Sequence, residues 1–131
     1  EDAGSGTYKR TVMNPEPVAD APQFMKDYYD YYKTKRGYHE RSVNSGQGWN
    51  VTSSLAFINA PILAYAGEIR SAVLLVHGEN THSRYFSEDT YKKLKGDNKE
   101  LLIVPGANHT DLYDRNIPFD KLEEFFKSNL R

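Results

Sequence analysis

The chain has 131 residues, a formal charge of −1 and no cysteine. That is one domain's length, with no electrostatic reason to expect a nucleic acid or an anionic membrane as partner and with disulfides, thiolate metal sites and a cysteine nucleophile excluded. No apolar run reaches the ~18–20 residues of a membrane span, and the opening Glu1-Asp2-Ala3-Gly4-Ser5-Gly6 lacks the basic and then apolar order of a secretion leader, so a cytoplasmic location is expected.

Residues 1–20 carry Gly4, Gly6, Pro15 and Pro17 with little periodicity and read as a flexible N-terminal arm, with a short extended piece at Tyr8 to Met13. Asp20 is placed to cap a helix that holds Pro22 in its first turn and runs to about Lys33. Phe24, Tyr28 and Tyr31 or Tyr32 recur at helical spacing along it. The cluster Tyr28, Tyr29, Tyr31 and Tyr32 reads as an aromatic packing face, with a substrate-binding cluster as the other reading. The basic and then polar stretch Lys33 to Gly48 reads as an excursion or loop. In Trp49 to Gly67, Thr52 or Ser53 is the expected cap and Leu55, Ile58, Ile62 and Tyr65 the helical face. Pro61 should split it, because an interior proline removes a hydrogen bond and clashes with the preceding turn.

Two apolar runs follow, Ala72 to Val76 leading into His77-Gly78-Glu79-Asn80 and Glu100 to Val104 leading into Pro105-Gly106-Ala107-Asn108-His109. Short unbroken runs of β-branched residues and leucine, bounded by Gly and Pro, predict strands buried on both faces in a parallel sheet. Between them Ser87 is the expected cap of a crossover helix with Tyr91 and Leu94 inward and Gly96 as its stop. The last helix starts near Asn116 and Pro118 with a buried stripe of Phe119, Leu122, Phe125 or Phe126, and Leu130. The domain plan is thus an arm over 1–20, a helical excursion over 21–67 and a strand-helix-strand-helix unit over 72–131. The ten tyrosines and a mean hydropathy of −0.74 leave much aromatic surface for two strands to cover, so the sheet is expected to be incomplete.

Parallel strands joined by a crossover end on the same edge, where ligands and catalytic groups of open α/β sheets collect. His109 and Glu79 both fall just past that edge. A histidine titrates near neutrality and can take a proton from a hydroxyl nucleophile and return it to a leaving group. Glu79 is the natural acid to orient it, since equivalent loops of strands about 4.8 Å apart can meet; it can equally cap the next turn or face water. Asp111 and Asp114 are nearer in sequence but belong to the outgoing loop. His82 either shapes a pocket or sits on the surface. His77, His82 and His109 lack the close i, i+4 pairing of metal ligands, so neither metal nor other cofactor is expected.

These segments resemble a known family. Val73-Leu74-Leu75-Val76-His77-Gly78-Glu79, then Leu102-Ile103-Val104-Pro105-Gly106-Ala107-Asn108-His109, then Phe119 to Phe126, look like the last third of an α/β-hydrolase, in the dienelactone-hydrolase-like and peptidase-like esterase branch. Tyr31-Tyr32-Lys33-Thr34-Lys35-Arg36-Gly37 is similar to the helical excursion before the acid strand of such proteins. The resemblance implies the C-terminal portion of an α/β-hydrolase fold, with few parallel strands flanked by helices. It implies His109 as the general base. It places the acid a few residues past the His-Gly pair, where this chain has Thr81, leaving Glu79 as the substitute.

The family's nucleophile lies in a G-x-S-x-G elbow, and no such motif is present: Gly4-Ser5-Gly6 lacks the strand before it, and Ser45, Ser53, Ser54, Ser83 and Ser87 have no elbow context. The nucleophile is therefore expected before residue 1, and the chain alone should be inactive. The partners implied are an ester-like small molecule in the intact protein and, over the open sheet edge, another copy of the chain or a missing N-terminal segment. The alternative is a non-catalytic interaction or accessory module that pairs through that edge. A nucleotide-binding fragment would need a glycine-rich phosphate loop, and the sequence has none.

Overall fold

The computed structural model describes residues 2–6, 9–42 and 48–130, with the side chains of Asp2 and Ala3 left aside. Tyr8, at the start of the expected extended piece, and Ser45 lie outside the described residues. The chain divides into two compact units, Glu1–Pro61 and Ile62–Arg131.

The first unit opens with a one-turn helix, α1 (Asp2–Ser5). Part of the N-terminal arm is then tied down: Arg10 and Asn50 form an antiparallel bridge. Thr11 N–H donates to Trp49 O at 2.7 Å, and Val51 N–H donates to Lys9 O at 2.9 Å. Helix α2 runs Gln23–Tyr32 with Pro22 at its N-cap and no side-chain cap. It starts later than an Asp20 cap requires, because the proline ring fixes the φ of the residue from which the helix departs. Phe24, Tyr28 and Tyr32 line one side of it edge to face, with centroids 6.1 and 6.2 Å apart, the geometry the ring quadrupole favours. Past its end Arg36 folds back, pairing with Asp30 at 3.0 Å and covering the Tyr31 ring at 5.4 Å.

A 3₁₀ turn (Val51–Ser53) leads into α3 (Ser54–Ile58). Neither Thr52 nor Ser53 caps with its side chain; Asn50 does, accepting from Thr52 N–H. The helix stops at Asn59, two residues before Pro61, where the Asn59 amide donates to Leu55 O at 2.9 Å. The four residues expected to share a helical face do not: Leu55 and Ile58 lie in α3, 60% and 75% exposed, while in the second unit Ile62 and Tyr65 lie in turns, 86% and 73% exposed.

The second unit holds a 3₁₀ turn (Ala66–Glu68), β1 (Val73–Gly78), α4 (Arg84–Lys93), β2 (Lys99–Val104), α5 (Asp111–Asp114) and α6 (Phe119–Asn129). The strands pair in parallel, Val73 beside Lys99 through Gly78 beside Val104, so this is a small α/β arrangement around a two-stranded sheet. Side chains alternate across a strand. The face carrying His77 and Lys99 meets α4: His77 Nδ1 lies 2.7 Å from Ser87 Oγ. From the same face Lys99 Nζ donates to Tyr91 O and Leu94 O at 3.0 and 2.5 Å, a cation on the negative end of the helix dipole. The opposite face carries Glu100, which meets Lys121 of α6 at 2.5 Å.

Ser87 is therefore not the cap of α4. The helix begins at Arg84, behind Ser83, and Ser87 turns its hydroxyl inward to the imidazole. Leu94 is buried as expected, but the helix ends at Lys93, ahead of Gly96. In α6 only Phe125 is buried, while Phe119 and Leu130 are 68% and 72% exposed. The strands are half-buried from Val73 to His77 and from Lys99 to Val104, short of the full burial their composition predicts. One helix against each face of two strands covers less of them than a wider sheet would.

Candidate functional site

Both strands deliver their C-terminal ends to one rim, where two loops are bonded together. Glu79 N–H donates to Val104 O and Asn80 N–H to Ala107 O, each at 3.0 Å. Asn80 Nδ2 donates to Gly106 O at 3.1 Å, and Gly106 N–H donates to Glu79 Oε2 at 2.8 Å. Gly106 has φ +68°, a backbone setting that residues with a Cβ rarely adopt. Gly78 sits where the loops touch: a Cβ there would come within 2.5 Å of Ala107 O and 2.9 Å of Asn108 O. Ala107 and Thr110 are 1% and 0% exposed, so the loop that carries His109 is anchored on both sides of it.

Beyond the turn, Asn108 N–H donates to Asp111 Oδ2 at 3.1 Å while Asp111 N–H donates to Asn108 Oδ1 at 2.9 Å. This reciprocal exchange at i, i+3 has the logic of a capping box and satisfies amides at the start of α5. Asp111, which the sequence assigns to an outgoing loop, thus opens a short helix. The helix brings Tyr113, four residues on, to His109: the Tyr113 hydroxyl and His109 Nε2 are 2.6 Å apart, with the rings at 84° and centroids 5.4 Å apart.

The structure brings Glu79 and His109 to the same rim and gives them different hydrogen bonds. The Glu79 carboxylate holds the Gly106 amide, and the phenol of Tyr113 sits at His109. Three imidazoles gather near the rim. Burial depresses the His109 pKa below the ordinary histidine value, and the His77 and His82 imidazoles push it further down. His77 is depressed likewise, by burial first and then by His82 and Arg84, against an opposing pull from Glu88. The lowered pKa favours the neutral ring, the form a general base needs. His77 is bracketed by Ser87 and, at 3.4 Å from Nε2, Ser83.

Among the described residues no group of three or more His, Asp or Glu is arranged to hold a metal ion. Thr81 Oγ1 is buried and has no hydrogen-bond partner there. The clefts of the first unit lie on other residues. One of about 570 Å³ is lined by Tyr32, Lys33, Thr34, Lys35 and Tyr38, and one of about 170 Å³ by Asn14, Pro15, Phe24, Met25 and Tyr28. Neither offers a histidine, so the rim is the better candidate for acid–base chemistry.

Tyr113 and the two serines at His77 escape a reading by strand pattern alone. The signal for Tyr113 was present as i, i+4 spacing after His109, and that for the α5 start as the Asn108–Asp111 spacing. No helix among the described residues is long and apolar enough to cross a membrane.

No family model matches the chain. It is 52% identical over 133 residues to the uncharacterized protein PA2218 of Pseudomonas aeruginosa (strain PAO1), a match covering 99% of this chain and 36% of that protein. It is 29% identical over 116 residues to the uncharacterized protein YcjY of Escherichia coli (strain K12), covering 86% of this chain and 37% of that one. The crystal structure of the hypothetical protein PA2218 superposes with a TM-score of 0.86 at 53% identity, over 98% of this chain and 41% of that one. The chain spans little more than a third of the length of the curated relatives it matches.

Proposed function

We propose that the chain is the C-terminal segment of a serine-type α/β-hydrolase and supplies the general base, His109, for hydrolysis of an ester or related acyl bond. The observation that carries this reading is the shared rim of two parallel strands. There a half-buried imidazole is presented on a loop pinned by Glu79 and Asn80. In the proposed reaction a serine hydroxyl attacks the acyl carbon as His109 takes its proton. The protonated imidazole then returns that proton to the leaving alcohol, and a water activated by the same ring hydrolyses the acyl-enzyme. Glu79 is the rim carboxylate of this scheme, holding the base's loop through Gly106. The nucleophile belongs to a part of the protein outside these 131 residues, since the sequence has no strand-borne G-x-S-x-G elbow.

The relatives, longer than this chain, leave room for such a part. The chain alone is expected to give no turnover of an activated short-chain ester. Turnover by the purified chain that disappears on His109→Ala would show that a nucleophile is present within it and would overturn the division of the site.

A further inference from the structure

The base proposed above has a partner of its own within the chain. His109 Nε2 and the Tyr113 hydroxyl are 2.6 Å apart, and the approach is built into the backbone. The reciprocal Asn108–Asp111 bonds fix the start of α5. Tyr113 N–H then donates to the carbonyl of fully buried Thr110 at 3.1 Å, which carries the phenol one turn round to the imidazole. A neutral imidazole has one N–H donor and one bare acceptor nitrogen. A phenol, with a pKa near 10, keeps its proton at pH 7 and is the natural donor of the pair.

We infer that Tyr113 is a positioning residue for His109: its hydroxyl donates to Nε2, holds the ring in the tautomer protonated at Nδ1, and occupies the place that the hydroxyl of an incoming nucleophile would take. The inference rests on His109 acting as the base. It adds that the phenol holds the ring in the tautomer whose Nε2 can take the proton while the serine hydroxyl is not bonded to it. The phenol must give way when the serine hydroxyl binds.

The test is read by nuclear magnetic resonance on the unmodified chain labelled with ¹⁵N-histidine, well above the ordinary imidazole pKa of about 6.5. Nε2 of His109 should resonate as a bare, pyridine-type nitrogen and Nδ1 as a protonated one. In Tyr113→Phe both should move toward the averaged positions of a mixed pair of tautomers, with the amide shifts of the strands unchanged. A protonated Nε2 in the unmodified chain would overturn the assignment whether or not the variant folds. So would ring shifts indifferent to loss of the hydroxyl. A purely structural tyrosine would leave the tautomer alone, and because no turnover is measured, a failure here is distinct from a failure of the hydrolase reading.

Discussion

Thr81 shows how a single position departs from its surroundings. Its hydroxyl is buried beside the Gly78 contact without a hydrogen bond among the described residues, and such an atom costs about 1–3 kcal/mol in lost hydration. The α/β-hydrolase resemblance puts the acid of the site at this position, where an ionised carboxylate would have the same need for partners in sharper form. Thr81→Val keeps the shape and removes the unsatisfied group, so it should raise stability by about 1 kcal/mol, read as a higher urea midpoint at unchanged slope. A lower midpoint would mean that the hydroxyl is bonded. At this scale the sequence was legible where chemistry follows from position: His109 and Glu79 do stand at one rim. What they touch was not read from strand pattern, because Glu79 binds an amide 27 residues away and the phenol at His109 sits on a four-residue helix whose only mark in the sequence is the spacing of Asn108, His109, Asp111 and Tyr113.

The contact of α4 with β1 passes through His77, and this gives that element a pH dependence. His77 and His109 both have depressed pKa values in the fold, so near and below about pH 6.5 the unfolded chain binds more protons than the folded one. Their contribution is fully present above the unfolded value and is lost as pH falls through it toward the folded values. The urea midpoint should therefore drop between about pH 7.5 and about pH 5.5, and less steeply when both histidines are replaced by glutamine. An equal drop in the variant would assign the slope to other groups. The strands and their order were legible because β-branched runs bounded by Gly and Pro have few alternatives. Helix starts were not: Pro22 rather than Asp20 sets the entry to α2, and Ser87 serves His77 rather than the α4 terminus.

At the scale of the molecule the apolar residues outnumber the places to bury them. Both strands are half-buried, although the sequence pattern predicts burial on both faces, and Leu55, Ile58, Ile62 and Tyr65 stay exposed. The pattern is blind to how much structure is present to cover a face, which is why composition predicted strands buried on both sides and two helices leave them partly open. The proposed hydrolase reading accounts for the open faces of the two strands as part of a larger sheet whose remaining layers belong to the nucleophile-bearing portion.

The direct measurement places this chain in that setting. A chimaera in which these residues replace the matching third of the Pseudomonas aeruginosa relative is assayed with an activated short-chain ester, with and without His109→Ala. The account predicts turnover through an acyl-enzyme, falling by about 10⁴- to 10⁶-fold when the imidazole is removed; turnover that survives the substitution undiminished would contradict it.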